Sequence, residues 1–237
     1  MPAAMPPSQR PSVSVVIPVH NEADYLPTAI DRLFAEMQSV DADVTVLVVE
    51  NGSTDGSADV VRGLRTRYPA LDVLELATPD YGAAMRAGFI GTNGDWVVNF
   101  DIDYFSGEFL STAIALNDAD VVLASKRAPG SDDQRSKLRK VATWGFNVML
   151  KTLLSSGVSD THGMKAIRRS VIQAIAGDVV STQDLFDTEL VIRAERAGYR
   201  IVEVPVVVQE QRDSRSSFLK RVPRTLRGVL RMRNNLD

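Results

Sequence analysis

Short runs of β-branched and other apolar residues alternate along this chain with longer segments in which apolar residues recur every three or four positions. Six of the short runs have the length and composition of strands: residues 12–18, 44–49, 71–77, 96–101, 120–125 and 201–208. Their apolar character is nearly continuous rather than alternating with polar positions. We therefore expect strands that are buried on both faces, as in a parallel sheet covered by helices.

The longer segments have the periodicity of amphipathic helices. They cover residues 24–38, 57–68, 81–92, 138–155, 168–176 and 188–197. Through about Ser125 strands and helices alternate regularly, whereas the remainder of the chain is irregular and more basic. This alternation predicts an α/β fold in which helices flank a mostly parallel, Rossmann-like sheet.

Nothing along the chain has the length and polarity of a linker between two domains. We expect a single domain over residues 12–208. A flexible lead over residues 1–11, which holds four of the eleven prolines, precedes it. A basic, amphipathic segment follows over residues 209–237.

Composition limits the chemistry before any motif is considered. The 237 residues include no cysteine and only two histidines, His20 and His162, so disulfides, thiolate zinc sites and cysteine nucleophiles are excluded and a multi-histidine metal site is not expected. No apolar run approaches the roughly 18 residues that span a bilayer, and the first residues lack the apolar core of a signal peptide. We therefore expect a cytoplasmic protein.

The formal net charge of −3 conceals an uneven distribution of charge. Residues 212–237 carry eight basic residues against Asp213 and Asp237, a local charge of +6 that leaves −9 for the rest. Apolar residues recur in this segment near helical spacing, and residues 126–140 form a second basic patch. Such a helix either lies among lipid headgroups or packs its apolar side on its own domain. We expect no nucleic-acid partner and keep nucleic acid only as an alternative ligand of the basic segment.

Polar residues follow three of the predicted strands, where an open α/β sheet binds its ligands. We call the residues that follow the carboxyl end of a strand its exit. The three exits are PVHNE over residues 18–22, ENGSTDGS over residues 50–57 and DID over residues 101–103. The second exit matches neither the phosphate-binding P-loop nor the dinucleotide fingerprint. Gly52 and Gly56 are explained equally well by a strand-to-helix turn.

Three Asp-x-Asp pairs occur in the chain, and position distinguishes them. Asp101 and Asp103 follow a strand, whereas the pairs at 41/43 and 118/120 precede apolar runs and are typical of solvated turns. Two neighbouring carboxylates repel each other unless a cation neutralises them, which suits a hard divalent ion that is also held by phosphates of a ligand. From spacing and position alone, a metal site and a structural turn both remain open for Asp101 and Asp103.

Several motifs in sequence order resemble those of the family 2 glycosyltransferases with the GT-A fold. They are residues 15–22 (VVIPVHNE), 48–57 (VVENGSTDGS), 81–88 with Tyr81, Gly82, Arg86 and Gly88, and 94–103 ending in Asp101 and Asp103. Further along, residues 159–169 (SDTHGMKAIRR), 186–190 (FDTEL) and 198–206 (GYRIVEVPV) are similar to the dolichyl- or polyprenyl-phosphate mannose and glucose synthases. The resemblance extends over roughly residues 12–208.

The resemblance implies a reaction and its partners. The reaction is a metal-dependent, inverting transfer of a hexose, mannose or glucose, from a GDP- or UDP-linked donor to a polyprenyl phosphate. Mg²⁺ or Mn²⁺ is the implied cofactor. The basic segment over residues 209–237 offers a way to reach a lipid acceptor, so a peripheral position at the inner face of the membrane is open, as is a homodimer.

The resemblance also assigns roles to individual residues. Those expected to bind the donor are Pro18, Asn21, Glu22, Glu50, Asn51, Gly82, Arg86 and Asp101. Asp101 and Asp103 would hold the cation, Asp187 would lie near the acceptor, and Arg127 would contact an acceptor phosphate, a role that Lys126 shares as an alternative.

Two positions depart from the family pattern. The chain has Glu50 where the family usually has aspartate, and Phe105 replaces a glutamine that often follows the second metal aspartate, which leaves the third metal ligand open. Asp187 could instead cap a helix that begins at Thr188, and His162 could be either a loop residue or a substrate contact. The alternative functions are transfer to a soluble or cell-wall glycan and a non-catalytic nucleotide-sugar-binding module.

Overall fold

Nine strands and eight helices make up the part of the chain that the computed structural model describes, residues 10–133, 137–161, 163–182, 185–208 and 218–236. The strands are β1 (Ser12–Val19), β2 (Asp43–Asn51), β3 (Leu71–Leu76), β4 (Trp96–Asn99), β5 (Val121–Ser125), β6 (Asp132–Asp133), β7 (Lys165–Arg168), β8 (Ile201–Pro205) and β9 (Val207–Val208). The helices are α1 (Leu26–Met37), α2 (Ser57–Leu64), α3 (Tyr81–Gly91), α4 (Gly107–Ala115), α5 (Lys137–Leu154), α6 (Arg169–Ile175), α7 (Phe186–Arg196) and α8 (Phe218–Leu236).

Seven of the strands form one sheet in the order β3-β2-β1-β4-β7-β5-β8. All neighbours are parallel except β7, which runs antiparallel to both β4 and β5. Pro18 pairs with Val49 and Val19 with Glu50, so β1 and β2 end side by side. The predicted α/β fold with a mostly parallel sheet flanked by helices is thereby confirmed.

Apolar side chains are buried on both faces of the sheet. One cluster joins the sheet to α1 and α4 through residues such as Leu33 and Leu110, and a second joins it to α3, α6 and α7 through residues such as Phe89 and Phe186. A third, smaller cluster packs α5 and α8 against α7: Leu150, Leu154, Ile192, Val229 and Met232. The helix that carries Asp187 is therefore packed between the sheet and the α5/α8 pair.

From α4 onward the chain departs from the predicted elements. The prediction missed α4, β6 and β7, and it began α7 two residues too late. The strand predicted over residues 201–208 is two strands, because Pro205 has no N–H to continue the ladder, and β9 then pairs with β6 in a separate sheet. Residues 1–9 of the predicted lead and residues 209–217 of the basic segment lie outside the described residues.

Candidate functional site

The loops that leave β1 and β2 are joined by hydrogen bonds into one wall of the site. Asn21 Oδ1 accepts from the Thr54 N–H (2.9 Å), and the Asn21 N–H donates to Ser53 Oγ (2.9 Å). The Glu22 N–H donates to Ser57 Oγ (3.0 Å). Asn21 has a φ of 56°, a left-handed conformation that asparagine tolerates better than most residues. The residue type at position 21 thus fits both the backbone turn and the contact between the loops.

The predicted donor residues of β2 hold neighbouring loops in place. Glu50 is buried, and its Oε1 accepts from the Ser53 N–H at 2.5 Å. Asn51 Oδ1 accepts from the Asp80 N–H (2.7 Å), and the Asn51 carbonyl lies 2.8 Å from His20 Nδ1. These contacts connect the exits of β1, β2 and β3 into one rigid surface.

The turn after β4 presents the Asp101/Asp103 pair. The Asp101 N–H donates to the Tyr104 carbonyl (3.2 Å), and the Tyr104 N–H donates to the Asp101 carbonyl (3.0 Å). The pKa of Asp101 is raised to about 6, first by burial and then by the charges of Asp103 and Asp187, while Lys165 and Lys126 oppose the shift. Three carboxylates and two ammonium groups therefore act on one another at this end of the sheet.

Asp187 lies in the first turn of α7 and points at this cluster. Its side chain is 3% exposed, and its Oδ2 accepts from the Tyr81 hydroxyl (2.9 Å) and lies 3.2 Å from Lys165 Nζ. Its Oδ1 has no hydrogen-bond partner among the described residues. The residue that precedes α7 is Leu185, without a side-chain cap. The alternative in which Asp187 caps a helix beginning at Thr188 is therefore wrong.

Lys165 was not anticipated from the sequence as a site residue. It lies on β7, is 1% exposed, and donates from Nζ to Asn99 Oδ1 (2.8 Å) and to the Gly163 carbonyl (2.8 Å). The available signal was a single lysine within the apolar run from Met164 to Ile167. A cation at such a position is either on the surface or paired with a buried carboxylate, and only the fold shows which.

Lys126 and Arg127 follow β5 and differ in their surroundings. Lys126 Nζ lies 3.3 Å from Asp160 Oδ2, in a pair that is largely buried. Glu203 fixes the loop that carries Asp160 by accepting from the Ser159 N–H and hydroxyl, both at 2.6 Å. The Arg127 side chain is exposed. Of the two candidate cations, Lys126 is the one that acts on Asp101.

Gly82 and Arg86 lie on α3. The Arg86 guanidinium donates to the carbonyls of Ala176 (3.1 Å) and Gly177 (3.3 Å), which fastens α3 to the end of α6. Gly82 and Arg86 also line a cavity of about 370 Å³ along α3, together with Ile90 and other residues. The structure thus brings Arg86 to backbone carbonyls and not to the carboxylate cluster, and its role toward the donor stays a prediction.

Phe105 occupies the position at which the family often has a glutamine, and it cannot coordinate a metal ion. Its ring packs 6.5 Å from that of Phe100, and the Arg32 guanidinium lies 5.5 Å from its centre. His162 lies outside the described residues. Within the ranges that the structure describes, no group of three or more histidine, cysteine, aspartate or glutamate residues is arranged to hold a metal ion by itself. An ion at Asp101 and Asp103 would need oxygens from a ligand as well.

Residues 14–176 of the chain match the model of glycosyl transferase family 2. The chain is 31% identical over 208 residues to the undecaprenyl-phosphate mannosyltransferase of Micrococcus luteus, with 84% of each chain covered. It is also 31% identical over 218 residues to the undecaprenyl-phosphate 4-deoxy-4-formamido-L-arabinose transferase of Sodalis glossinidius, covering 89% of this chain and 64% of that relative. This chain therefore spans less than two thirds of the second relative.

Solved structures with the same architecture include the mannosyltransferase PcManGT from Pyrobaculum calidifontis, in complex with GDP-Man and Mn²⁺. The TM-score is 0.65 at 22% identity, and the match covers 95% of this chain and 64% of that chain. At this identity the likeness concerns the fold, which is GT-A.

Proposed function

The chain belongs to glycosyl transferase family 2, and from this we propose that it transfers a hexose from a nucleoside-diphosphate sugar to a polyprenyl phosphate, with inversion at the anomeric carbon. That it is a glycosyltransferase follows from the family. The observation that carries the finer proposal is the cluster at the exits of β4 and β5 and the start of the antiparallel β7. There burial raises the pKa of Asp101, Asp103 and Asp187 add to the shift, and Lys165 and Lys126 oppose it.

The residues present at this cluster fit a hard divalent cation. Asp101 and Asp103 offer carboxylate oxygens, which Mg²⁺ and Mn²⁺ prefer. The raised pKa of Asp101, caused first by burial, indicates a carboxylate short of positive charge. Asp101 and Asp103 would hold the ion, which when bound neutralises the negative charge that develops on the leaving diphosphate. PcManGT, whose structure contains Mn²⁺ with GDP-Man, supports this part of the proposal.

The wall formed by the β1 and β2 exits is the proposed site for the base and ribose of the donor. Its residues are Pro18, Asn21, Glu22, Glu50 and Asn51. Because Asn21, Glu50 and Asn51 already hold loops through their side chains, the surface is formed before the donor binds, and little ordering entropy is lost on binding. A GDP- or UDP-linked hexose is the proposed donor, and the choice of base is left to measurement.

In the proposed reaction an oxygen of the acceptor phosphate forms a bond to the anomeric carbon on the face opposite the diphosphate. The bond from that carbon to the diphosphate oxygen breaks, and its electron pair leaves with the nucleoside diphosphate. A phosphate oxygen is already anionic, so positioning and charge matter more than proton removal. Lys126, held at the edge of the cluster by Asp160, is placed to attract that phosphate, with Arg127 outside it on the surface.

A lipid acceptor is supported by the names of two relatives, an undecaprenyl-phosphate mannosyltransferase and an undecaprenyl-phosphate 4-deoxy-4-formamido-L-arabinose transferase. We propose a peripheral position at the inner face of the membrane for this chain as well. No helix in the described ranges has both the length and the apolar character to cross a bilayer. We propose that a surface of the domain contacts the lipid.

The α5/α8 pair supplies such a surface. Four basic residues lie in α5 and six in α8, and neither helix contains an acidic residue. An excess of this kind, in a chain whose net charge is −3, favours an anionic surface as partner. Both helices pack on α7, whose first turn carries Asp187. Contact of the pair with lipid would therefore bring the acceptor headgroup toward the site.

Apolar side chains on the same two helices remain exposed. On α5 these are Val141 (63%), Trp144 (57%) and Val148 (41%), and on α8 Leu226 (44%) and Leu230 (45%). The three on α5 are spaced by three and four residues, so they share the face opposite the buried Leu150 and Leu154. Tryptophan is favoured at the level of lipid headgroups, and a basic helix face with exposed apolar side chains is typical of interfacial binding.

Sedimentation with vesicles tests this surface. We expect the full chain to sediment with phosphatidylglycerol-containing vesicles but not with phosphatidylcholine alone, and to be released by salt. Trp144→Glu should weaken binding, whereas Ile90→Glu, the same change at an exposed residue of α3 (56%), should not. Equal binding of both variants would overturn the assignment. Association of α5 and α8 with a second copy, seen as a dimer by light scattering, would assign the surface to the homodimer instead.

A second candidate, transfer to a soluble or cell-wall glycan, is favoured by one specific observation. The buried Oδ1 of Asp187 accepts no hydrogen bond from the part of the chain that is described. A carboxylate so placed is suited to remove a proton from a hydroxyl acceptor. Supplying polyprenyl phosphate and sugar acceptors in parallel separates the two candidates.

Calorimetric titration and turnover together test the donor and metal roles. GDP-, UDP- and dTDP-hexoses are titrated into the protein with and without Mn²⁺, and transfer is then measured with the donor that binds. We expect Asp101→Ala with Asp103→Ala to abolish transfer, while the exposed pair Asp41→Ala with Asp43→Ala leaves it intact. Full turnover in the first double variant would contradict the proposed metal site.

A further inference from the structure

The side chain of Asp187 is held by one of its two oxygens. Oδ2 accepts a hydrogen bond from the Tyr81 hydroxyl (2.9 Å) and lies 3.2 Å from Lys165 Nζ. Oδ1 accepts no hydrogen bond from the described residues. Hydrogen bonds to charged groups are the stronger ones. The carboxylate is therefore fixed in rotation as well as in position, with its two oxygens in different surroundings.

The two donors come from separate elements that are themselves held in place. Lys165 is buried on β7, and its Nζ also donates to Asn99 Oδ1 on β4 and to the Gly163 carbonyl. Tyr81 is the first residue of α3, directly after Asp80, whose side chain caps the helix by accepting from the Ala83 N–H. The Lys165 ammonium therefore cannot follow Asp187 to another rotamer without losing its bonds to Asn99 and Gly163, and the Tyr81 side chain starts from the capped first turn of α3.

Oδ1 is the atom left for a ligand. A buried acceptor without a partner costs free energy, and such an atom is commonly satisfied by a bound molecule. We propose that Tyr81 and Lys165 are positioning residues, which hold Asp187 through Oδ2 so that Oδ1 alone accepts the O–H group of the incoming acceptor. This inference rests on the proposed function, since it concerns the acceptor side of the same site.

Two kinds of acceptor can supply this O–H group, a protonated phosphate or a hydroxyl. A polyprenyl phosphate that carries one proton, with a second pKa of about 6, hydrogen-bonds to Oδ1 through that O–H and leaves the proton on Oδ1 as its unprotonated oxygen forms the bond to the anomeric carbon. A sugar hydroxyl or water instead gives its proton to Oδ1 as its oxygen forms the new bond. In both cases the electron pair of the broken bond leaves with the nucleoside diphosphate.

Four substitutions test the positioning role. Tyr81→Phe removes one donor, Lys165→Met removes the other, Lys165→Arg restores a cation, and Asp187→Asn removes the carboxylate. Tyr68→Phe is the matched control, because the Tyr68 hydroxyl makes the same kind of bond to Asp31 (2.7 Å) away from the cluster.

We expect kcat to fall about 10-fold in Tyr81→Phe and about 100-fold in Lys165→Met, the range that misplacement of a reacting group produces, with partial recovery in Lys165→Arg. Donor KM should stay within about twofold in Tyr81→Phe, because Tyr81 is not among the proposed donor-binding residues. Tyr68→Phe should match the wild type. An unchanged kcat in Tyr81→Phe, or a higher donor KM at constant kcat, would overturn the proposal. If Lys165→Met does not fold, the kcat of Tyr81→Phe still tests the positioning role.

A double-mutant cycle supplies a readout that a merely structural role would not move. If Tyr81 acts only through Asp187, Tyr81→Phe has no further effect on kcat in the Asp187→Asn background. Additive losses would instead show that Tyr81 acts independently of Asp187 and would overturn the inference.

Two acceptors separate failure of this inference from failure of the proposed function. The variants are assayed with undecaprenyl phosphate and, in its absence, by the slow release of nucleotide when water is the acceptor. A wild type that hydrolyses the donor but makes no glycolipid refutes the lipid acceptor, and the hydrolysis rates of the variants still test the positioning. If the wild type makes glycolipid and Tyr81→Phe and Lys165→Met make it at the same rate, only the positioning role is refuted.

Discussion

Replacing Asp101 with asparagine is expected to change how the stability of the metal-free protein depends on pH. In the folded protein the pKa of this carboxyl is raised from 3.8 to about 6, first by burial and then by Asp103 and Asp187, against the opposing charges of Lys165 and Lys126. The folded state therefore binds the Asp101 proton more tightly than the unfolded state does. Its stabilising contribution is complete below about pH 4 and is lost as the pH rises through about 6.

The magnitude follows from the shift. Two pKa units correspond to about 3 kcal/mol at 1.4 kcal/mol per unit. This is an upper value, because part of the Asp101 surface remains exposed. The free energy of unfolding of the wild type, relative to that of Asp101→Asn, should thus fall by up to about 3 kcal/mol between pH 4 and pH 7.

Urea unfolding with EDTA across this pH range measures the difference. Asp118→Asn is the control, because Asp118 forms an exposed ion pair with Arg200, and it should differ from the wild type by less than about 1 kcal/mol at every pH. Adding Mn²⁺ at pH 7 should stabilise the wild type more than Asp101→Asn, since the ion favours the ionised carboxyl. Parallel pH profiles for wild type and Asp101→Asn would refute the reasoning.

Two further substitutions probe the scaffold of the site by urea unfolding. Gly88→Ala should lower stability by about 1–3 kcal/mol, because a Cβ there would overlap Val16 Cγ1 and force α3 away from the sheet. An unchanged midpoint would contradict this close packing. Glu189→Ala should cost about 3–5 kcal/mol, because the fully buried carboxylate accepts from Arg193 and from two backbone N–H groups. Glu108→Ala, at an exposed acid in the first turn of α4, should cost far less, and equal losses would count against the role of Glu189.

Local sequence patterns predict the first half of this fold well. The alternation of apolar runs and helical segments through about Ser125 gives the order of strands and helices apart from α4, and the exits of β1, β2 and β4 follow from it. Asp101 and Asp103 stand out among three similar pairs because they follow a strand. These features depend on residues that are close in the sequence, where periodicity and position carry the information.

The remainder of the site depends on contacts between distant residues. Tyr81 and Asp187 are 106 positions apart, and no local pattern indicates that they meet. β7 is four residues long and contains two charged residues, so it lacks the apolar run that marks a strand. It is stabilised as a strand by pairing with β4 and β5 on either side. Because β7 was not predicted from the sequence, Lys165 was not recognised as a residue of the site.

Mass spectrometry of the lipid product shows directly whether this chain transfers a hexose to a polyprenyl phosphate. The purified chain is incubated with undecaprenyl phosphate, Mn²⁺ and each hexose donor that binds in calorimetry, and the lipid extract is analysed for the added sugar. We predict a single hexose on the phosphate, formed with Mn²⁺ and absent with EDTA or in Asp101→Ala with Asp103→Ala. Consumption of the donor with no sugar on the lipid, and with the label on a glycan acceptor instead, would contradict the account.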